Sequence, residues 1–576
     1  MTYYGLAGSL VLFFQSRLDY DNADADVQYS IWSGFCYVTP LFGGWLADSY
    51  LGRYNTILIL CALYLSGLVL MVFGAIPGAE SEAVIYPGLY IIAFGTGGIK
   101  PNVSTFGADQ FDDDNEQDKK EKESFFNWFY WSINLGALIS YTLVAYICQY
   151  GIAGLGGEDW GFFIGFIIPA VSMALAILAF YSGTPKFTIK PPSGSILSAA
   201  CGMIFEAAVT RRNEAPEAEY WLHRASRRYN GSYPDSLVKG MSYATKLAPF
   251  LMLLVPYWLC YSQMSTTFQN QGCQMDLSFG GADIPVSALN LFDTVAILML
   301  VPVFDMVVFP AMKASGAPVS MLQKIGWGFV FAILAMGAAA VVEVIRKSNV
   351  PEEEYTGLDS FLADKDHISA CKDANNFDPR KFQSWYSDRS LDEPTNCWSI
   401  CSDLDADGSL SFDCIECDPV PQAASLSVLW QVPQFLLVGT SEILASVTAM
   451  EFFYSQTPSN MRSISAALNL LTTALGSWAT IPLVLVVNAN KSDAWVPDDL
   501  NKGHLEQFFV VIVAIMVVNL AAFMWFAKGY KYVKATELKA LAEEDDDHVE
   551  VTKELRSENE GGGDDDDDDD DAVKFA

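Results

Sequence analysis

The sequence predicts an all-α polytopic membrane protein with twelve transmembrane helices in two six-helix halves, the first helix being truncated. Three observations lead to this fold class. Hydrophobic residues make up 51% of the 576 residues and charged residues only 18%. Apolar windows of about 20 residues, the length that crosses a bilayer, recur as eleven full candidates and one partial one. A basic stretch at 182–246 separates the first six windows from the last six.

The N-terminal half, residues 1–181, contains the first six predicted spans. The first is an apolar run at 3–15, which is too short to cross a bilayer and predicts a partial helix or a missing chain start. The other five lie near 31–48, 56–77, 85–106, 124–149 and 160–181. The linker at 182–246 follows with nine Lys or Arg against five Asp or Glu, which predicts a cytoplasmic segment. Within it, 195–212 has helical periodicity and is expected on the membrane surface or against the bundle.

The C-terminal half, residues 247–528, contains the last six predicted spans. They lie near 247–269, 286–312, 320–345, 426–454, 460–487 and 505–528. An acidic loop at 347–424 is inserted between the ninth and tenth spans, and an acidic tail at 529–576 contains the run GGGDDDDDDDD near its end. Like charges repel in such a tail, so we expect it to be disordered. Most of the net charge of −34 belongs to these two appendages, and it argues against nucleic-acid binding.

The positive-inside rule predicts the orientation of the chain. Arg53, the linker, Lys313 and Lys528 fall on one side when the spans are counted, and that side is expected to be cytoplasmic. The loop at 347–424 then lies outside. Its five cysteines, with Cys273, would meet an oxidising compartment there and could form disulfides whose connectivity the spacing does not give.

One motif in the acidic loop is similar to the start of a calcium-binding loop. Asp403, Asp405 and Asp407 precede a glycine in the pattern D-x-D-x-D-G. The twelfth position is Cys414 where a bidentate glutamate is expected, and no helices clearly flank the motif. The alternative to a calcium site is an acidic turn closed by disulfides, and we otherwise expect no metal site.

Lys100 is a cation near the end of an apolar run, in the stretch FGTGGIKPNVSTFGADQF. A charge near bilayer depth is costly unless it meets a counter-charge, water or a ligand. The three glycines before it allow neighbouring backbones to approach closely, and Pro101 after it predicts a kink. This pattern favours an anion-binding transport pathway. The alternative is a lysine that snorkels to the headgroups from a helix end.

Glu442 is the best candidate partner for Lys100. It lies inside the tenth span, in FLLVGTSEILASVTAM, with apolar residues on both sides. Desolvation favours the protonated form of an unpaired buried carboxylate, so Glu442 is a candidate proton carrier as well as a charge partner. A base in one half and an acid in the other could bind opposite ends of a zwitterion. The alternative is a structural ion pair between helices.

Other polar residues inside the spans are candidates for contact with a ligand. The amide of Asn134, in WSINLGAL, either hydrogen-bonds to another helix or contacts a ligand. Tyr3, Tyr4 and Tyr37 could line a cavity with hydroxyl groups, although a single buried tyrosine is more often part of a core. Gln263 lies in PYWLCYSQMSTTFQNQG, a seventh span rich in hydroxyls and amides.

These motifs resemble those of the proton-dependent oligopeptide transporter family, a branch of the major facilitator superfamily. The resemblance covers nearly the whole chain, and the plant nitrate/peptide transporter branch is the most similar. It implies the major facilitator fold, no cofactor other than the coupling proton, and alternating access. It also implies that Asp48, in GWLADSYLGR, caps and pairs across helix ends near Arg53 and steadies one face of the protein.

The resemblance also implies roles for the candidate residues. The family's equivalents of Lys100 and Glu442 bind the carboxylate and amino ends of peptides, and that of Asn134 contacts the substrate backbone. YYGL and CYVTP match cavity motifs, which implies lining roles for their tyrosines. Two departures stand out. Ser262 replaces an acid before Gln263, and the family's E-x-x-E-R run would lie before Met1, which predicts a truncated chain or an altered coupling.

We therefore expect a proton-coupled symporter of di- and tripeptides, with Glu442 and Lys100 as proton-coupling residues. We expect it to be a monomer in the plasma membrane or an endomembrane. A symporter of nitrate or another small anion is the alternative, although none of the four histidines lies mid-span to form a histidine-centred nitrate site. A nutrient receptor that moves nothing is a second alternative. No nucleophile–base set supports an enzyme.

Overall fold

The computed structural model describes residues 1–111, 116–192, 196–209, 220–350, 424–458 and 462–534. Within these ranges the chain is mostly α-helical, as its hydropathy predicts. Among the described residues, ten helical segments are long and apolar enough to cross a membrane. The first, Asn22–Gly74, has 53 residues, and at 1.5 Å per residue it is long enough for two crossings. The ten segments therefore overlap all eleven full spans that the sequence predicts, although several bounds differ by a few residues, and the chain is a multi-pass membrane protein.

The described part of the N-terminal half has nine α-helices. They are α1 (Thr2–Ala7), α2 (Leu10–Arg17), α3 (Asn22–Leu46), α4 (Gly52–Gly74), α5 (Glu82–Ile99), α6 (Asn102–Ala108), α7 (Glu116–Ile139), α8 (Ala145–Tyr150) and α9 (Gly161–Ser182). The π-helical turns Ala47–Leu51 and Ser140–Val144 connect α3 to α4 and α7 to α8. The partial first span corresponds to α1 and α2, which are separated by a two-residue break.

The linker and the C-terminal half supply the remaining described helices. They are α10 (Ile196–Val209), α11 (Asp235–Lys246), α12 (Ala248–Ser262), α13 (Thr267–Cys273), α14 (Asn290–Val303), α15 (Phe309–Ala314), α16 (Met321–Ser348), α17 (Val432–Glu442), α18 (Thr448–Ser455), α19 (Arg462–Val487) and α20 (Leu505–Gly529). Two short antiparallel strands, β1 (Ser278–Phe279) and β2 (Ala282–Asp283), form a hairpin before α14.

Two spans are interrupted in the middle of the bundle. The fourth span breaks at Lys100 and Pro101, between α5 and α6, because proline has no N–H to continue the helical ladder. This confirms the predicted kink. The seventh span breaks between α12 and α13, where Gln263–Ser265 forms one turn of 3-10 helix. Both breaks lie next to the cavity described below.

Glycines bring α5 close to its neighbours, as the GTGG motif predicts. A Cβ atom at Gly97 would overlap the carbonyl oxygen of Thr39 on α3, and one at Gly98 would overlap the side chain of Leu60 on α4. A Cβ at Gly95 would come within 2.8 Å of the Leu60 carbonyl oxygen. These three positions allow α5 to pack against the backbones of two helices at once.

Each half has its own hydrophobic core. The N-terminal cluster is centred on rings such as Phe13 and Phe166, and the C-terminal cluster on rings such as Phe329 and Phe452. Large apolar side chains also remain exposed on the outside, among them Met306, Val518 and Leu178. Extensive apolar exposure of this kind marks a surface that faces lipid.

The linker packs against the helical bundle. Met203 of α10 and Met241 of α11 join a small core with Leu222, and that core includes Ile464 at the start of α19. The described part of the amphipathic stretch at 195–212 therefore packs against the bundle. This is one of the two placements that the sequence allows. We call the end of the bundle at which 182–246 lies the linker end.

Several predictions lie outside the described residues. They include the acidic loop from 351 to 423 with its five cysteines, the calcium motif at Asp403, Asp405 and Asp407, and the tail from 535 onward. Cys273 is described, but its expected disulfide partners are not. The division of the chain at 1–181, 182–246, 247–528 and 529–576 stays a prediction.

Candidate functional site

A cavity of about 180 Å³ lies between the two halves, and both contribute to its lining. Helices α1, α3 and α7 line one side, and α12, α14, α17 and α19 line the other. Five of the predicted site residues are part of this lining: Tyr3, Tyr4, Tyr37, Asn134 and Glu442. They come from four separate helices, so only the folded chain brings them together.

Lys100 lies one layer behind this lining. Its Nζ is 3.5 Å from the centre of the Tyr37 ring and 4.3 Å from the centre of the Tyr3 ring. The Nζ atom is buried, and among the described residues it has no hydrogen-bond partner. Because both tyrosines line the cavity and Lys100 does not, its charge acts on the cavity through these two rings, whose faces attract cations.

The break in the fourth span fixes the position of Lys100. The helix α5 ends just before it, and the backbone N–H of Lys100 still donates to Thr96 O at 3.1 Å. Beyond Pro101, the buried side-chain amide of Asn102 donates to Gly98 O at 3.1 Å and to Gly43 O at 3.3 Å. Asn102 thus ties α6 to both α5 and α3, and it compensates for part of the ladder that the proline interrupts.

Glu442 lies at the end of α17, where the π-helical turn Ile443–Val447 begins. Such turns inside helices are frequent at functional sites because they redirect side chains. Tyr261 lines the same cavity and lies beside the Glu442 carboxyl group. The carboxyl oxygen Oε2 is buried and has no partner among the described residues. One acceptor atom of Glu442 is therefore available to a ligand or a proton.

Sequence reasoning missed a second acid, Asp293 of α14. Asp293 lines the same cavity, only 6% of its surface is exposed, and its Oδ1 has no partner among the described residues. The signal that selected Glu442, an acid inside an apolar span, was also present here, since Asp293 falls within the span predicted at 286–312. The structure adds that both acids face one space.

Gln263 has a different place from the one expected. It is fully buried and does not belong to the lining. Its Nε2 donates to Leu259 O at 2.8 Å, and its Oε1 accepts a hydrogen bond from the Thr267 hydroxyl at 2.9 Å. Its polar atoms thus satisfy the backbone and side chains around the break between α12 and α13. Its neighbour Ser262 lines the cavity instead.

Asp48 and Arg53 lie in a recess at the linker end. Arg53 forms an ion pair with Asp109, just beyond α6, and Lys190 of the linker binds the same carboxylate at 3.1 Å. Asp48 lines this recess too. The family resemblance implied a pairing role for Asp48, but the ion pairs that the structure describes go to Asp109. They connect the start of α4, the end of the fourth span and the linker.

A buried polar network joins the two halves at the opposite end of the bundle. Gln15 donates to Asn270 Oδ1 at 2.8 Å, and the Asn270 amide donates to Asp26 Oδ2 at 3.0 Å. Asn22 donates to Pro497 O at 2.7 Å. These bonds link α2 and α3 of one half to α13 and the segment after α19 of the other, so they hold the two halves together at that end.

The sequence matches the family model described as POT family over residues 54–371 and 409–497. Two similar proteins come from Arabidopsis thaliana. Protein NRT1/PTR FAMILY 8.1 is 33% identical over 595 aligned positions, which cover 93% of this chain and 92% of that protein. Protein NRT1/PTR FAMILY 8.3 is 31% identical over 596 positions, covering 93% and 90%.

The fold is similar to solved crystal structures. An auto-inhibited POT family peptide transporter superposes with a TM-score of 0.64 over 92% of this chain and 95% of that chain, at 20% identity. The POT family transporter PepTSo gives a TM-score of 0.63 over 91% and 95%, also at 20% identity. The major facilitator fold that the sequence predicts is thereby confirmed.

Proposed function

This chain belongs to the POT family of transporters, and from that premise we propose that it is a proton-coupled symporter of di- and tripeptides. The observation that carries the proposal is the cavity between the halves, where polar side chains converge with an acid on one side and a buried cation behind the other. A transporter that works by alternating access needs its binding site at such an interface between two repeats.

The charges around the cavity suit a zwitterion. The carboxyl group of Glu442 is available on the C-terminal side, where it would bind the ammonium end of a peptide. On the N-terminal side, the hydroxyls of Tyr3 and Tyr37 would donate to the carboxylate end. The ammonium of Lys100 behind their rings adds positive potential, which is strong in a site from which water is excluded.

The remaining lining suits a peptide backbone better than a purely apolar solute. Asn134 and Asn290 place amide groups at the wall, and Ser265 and Ser477 place hydroxyls there. Both types of group can donate and accept hydrogen bonds. A peptide bond offers one donor and one acceptor. Such a wall would therefore match the backbone of a peptide, whatever side chains the peptide carries.

We propose that the protein lies in the plasma membrane with its linker end in the cytoplasm. We further propose that it acts as a monomer and that the proton is its only coupling ion. The basic linker supports this orientation. In this orientation the network of Gln15, Asn270 and Asp26 holds the outer ends of the two halves together. Alternating access would require that network to open during the transport cycle.

Nitrate is the second candidate substrate, and one observation favours it: the Lys100 ammonium has no anionic partner among the described residues. A monovalent anion, however, needs a cation but no acid to hold an amine, so the pairing of Lys100 with Glu442 favours peptides. The third hypothesis, a receptor that binds a nutrient without moving it, makes a separate prediction, namely binding without flux.

Reconstitution into liposomes tests the proposal. With an inward proton gradient, the wild-type protein should accumulate a labelled dipeptide, and Glu442→Gln should abolish this because it removes the charge that holds the ammonium. Glu158→Gln, the same change at an exposed loop position, is the matched control and should transport normally. Unaffected dipeptide uptake by the Glu442 variant would rule out its role. Gradient-driven nitrate uptake without dipeptide uptake would show that the substrate is the anion and not a peptide.

A further inference from the structure

Two carboxyl groups, not one, line the C-terminal side of the cavity. We propose that Asp293 and Glu442 act as one two-carboxylate site that takes up a substrate ammonium group and one proton together. The inference rests on the proposed function and deepens it, because it names Asp293 as the second half of the amine site and the pair as the carrier of the coupled proton.

The first support is that each acid keeps an acceptor atom free for a ligand. Oδ1 of Asp293 and Oε2 of Glu442 are both buried, and neither has a hydrogen-bond partner among the described residues. Both side chains belong to the lining of the same cavity. Buried polar atoms are almost always satisfied in proteins, so two unpartnered acceptors on residues that line one cavity indicate a bound cation or proton.

The second support is the close packing of the two helices that carry the acids. Gly439 lies three residues before Glu442, and therefore on the same face of α17 one turn earlier. A Cβ atom at Gly439 would lie 3.0 Å from Asp293 Oδ1 and 2.9 Å from Asp293 O. The Asp293 carboxyl group thus rests against the backbone of α17, and the glycine makes room for it. The two acids also interact electrostatically.

The third support is the charge of the surroundings. The described titratable groups that face Asp293 are Glu442 from α17, Tyr141 from the turn after α7, and Tyr257 and Tyr261 from α12. None of these groups is cationic. The ammonium of Lys100 lies on the other side of the cavity, behind the rings of Tyr3 and Tyr37.

Two ionised carboxylates without a cation repel each other strongly in a site poor in water. One proton on the pair removes half of the negative charge, and a substrate ammonium compensates the other half. The loaded site then contains two carboxylates, one proton and one ammonium group, and its net charge is zero. Because occlusion removes the remaining water, the neutral, fully loaded site is the form that closes at the lowest cost. Coupling of the proton to the peptide follows.

The competing explanation is local and structural. Asp293 lies in the first turn of α14, where a negative charge stabilises the helix dipole. That role would make Asp293→Asn slightly less stable but would leave the dependence of transport on the proton gradient unchanged. The two explanations therefore differ in the dependence of transport on the proton gradient, which a change in stability alone does not alter.

The test compares two modes of transport by the full-length protein in liposomes. Gradient-driven accumulation of a labelled dipeptide needs the coupled proton, whereas counterflow exchange of the peptide at equal pH does not. For Asp293→Asn we expect gradient-driven accumulation to fall by about tenfold or more, a typical size for one coupling interaction, with counterflow retained. Asp293→Glu should restore accumulation in part. Asp283→Asn, on the exposed hairpin before α14, is the matched control and should behave as wild type.

Proton uptake by the wild-type protein provides a readout that needs no variant. Addition of dipeptide to the detergent-solubilised protein in weak buffer should alkalinise the medium, as followed by a pH-sensitive dye. Asp293→Asn with wild-type accumulation, or wild-type protein that takes up no proton, would overturn the inference while leaving peptide transport intact. If a folded Asp293→Asn variant lost counterflow as well as gradient-driven accumulation, Asp293 would be required for peptide exchange itself and not specifically for coupling to the proton. That result would contradict the inference. Wild-type protein that transports no dipeptide at all would overturn the proposed function first.

Discussion

Among single residues, Lys100 shows best how a charge can be kept inside a membrane protein. Its ammonium is buried against two aromatic faces, which replace part of the hydration that it loses. The structure thereby excludes the alternative of a lysine that snorkels to the headgroups, because the amine points into the bundle and is shielded from solvent.

This arrangement predicts a difference between two changes at Tyr37. Tyr37→Phe keeps the ring that supports the Lys100 ammonium, whereas Tyr37→Leu removes it. Since a cation–aromatic contact away from water contributes about 2 kcal/mol, the leucine variant should lose far more dipeptide uptake than the phenylalanine variant. Initial uptake rates at matched protein levels measure this. Equal losses in the two variants would show that the hydroxyl, and not the ring, is what matters.

The sequence identified residues such as Lys100 and Glu442 because a charge inside an apolar run is visible without a structure. It could not show that Lys100 lies behind a layer of tyrosines, since that depends on how α1 and α3 pack over α5. It also did not single out Asp293, although an acid inside an apolar span was visible there too, because only the folded chain shows that Asp293 and Glu442 line the same cavity. Gln263 was a candidate by composition alone, and its hydrogen bonds around a helix break are a three-dimensional property.

Among the helices, α16 contains a buried ion pair that holds three parts of the C-terminal half together. Arg346 and Glu343 are both fully buried, with their closest atoms 2.7 Å apart. The Gln271 amide donates to the same carboxylate at 2.9 Å, and Arg346 Nη1 donates to Asn501 Oδ1 at 2.8 Å. The pair therefore connects α16 to α13 and to the segment before α20.

Removal of one partner from this pair should destabilise the protein. Glu343→Gln leaves the Arg346 guanidinium as an uncompensated buried charge, which typically costs about 3–5 kcal/mol. The measurement is the midpoint of thermal unfolding in detergent. Glu506→Gln, which breaks the partly exposed pair with Lys347, is the comparison and should cause a smaller shift. A Glu343 variant as stable as wild type would mean that the pair is not structural.

The spans were predictable because the bilayer imposes a length and an apolar composition on every crossing helix. The break at Pro101 was predictable for an equally general reason, the missing N–H of proline. The π-helical turns at Ala47–Leu51 and Ile443–Val447 were not, since no single residue type requires them. The ion pairs of Asp109 with Arg53 and Lys190 likewise depend on how distant segments meet at the linker end.

In the molecule as a whole, the two halves meet closely where α3 passes α19. A Cβ atom at Gly34 of α3 would overlap the indole of Trp478, and the Trp478 Nε1 donates to Ile31 O at 3.3 Å. A transporter that alternates between two closed ends has to form and release such a contact in every cycle.

Gly34→Val should therefore impair transport more than stability. The added methyl groups push α3 away from Trp478 and hinder closure of the end opposite the linker, while each half keeps its own core. We expect dipeptide uptake to fall strongly while the unfolding temperature of the purified protein changes little. Gly337→Val, on α16 at a position where an added Cβ would meet no atom within 4 Å, is the comparison for a glycine outside the interface. Normal uptake by the Gly34 variant would contradict a closing role for this contact.

We propose that this protein moves peptides together with protons through the cavity between its halves. The electrical response of membranes that contain the wild-type protein, when a zwitterionic dipeptide is added on the acidic outer side, tests this proposal. Because such a peptide has no net charge, any current that it evokes is carried by the coupled proton. We expect an inward current that disappears in Glu442→Gln. Dipeptide that binds without evoking current or uptake would rule out symport.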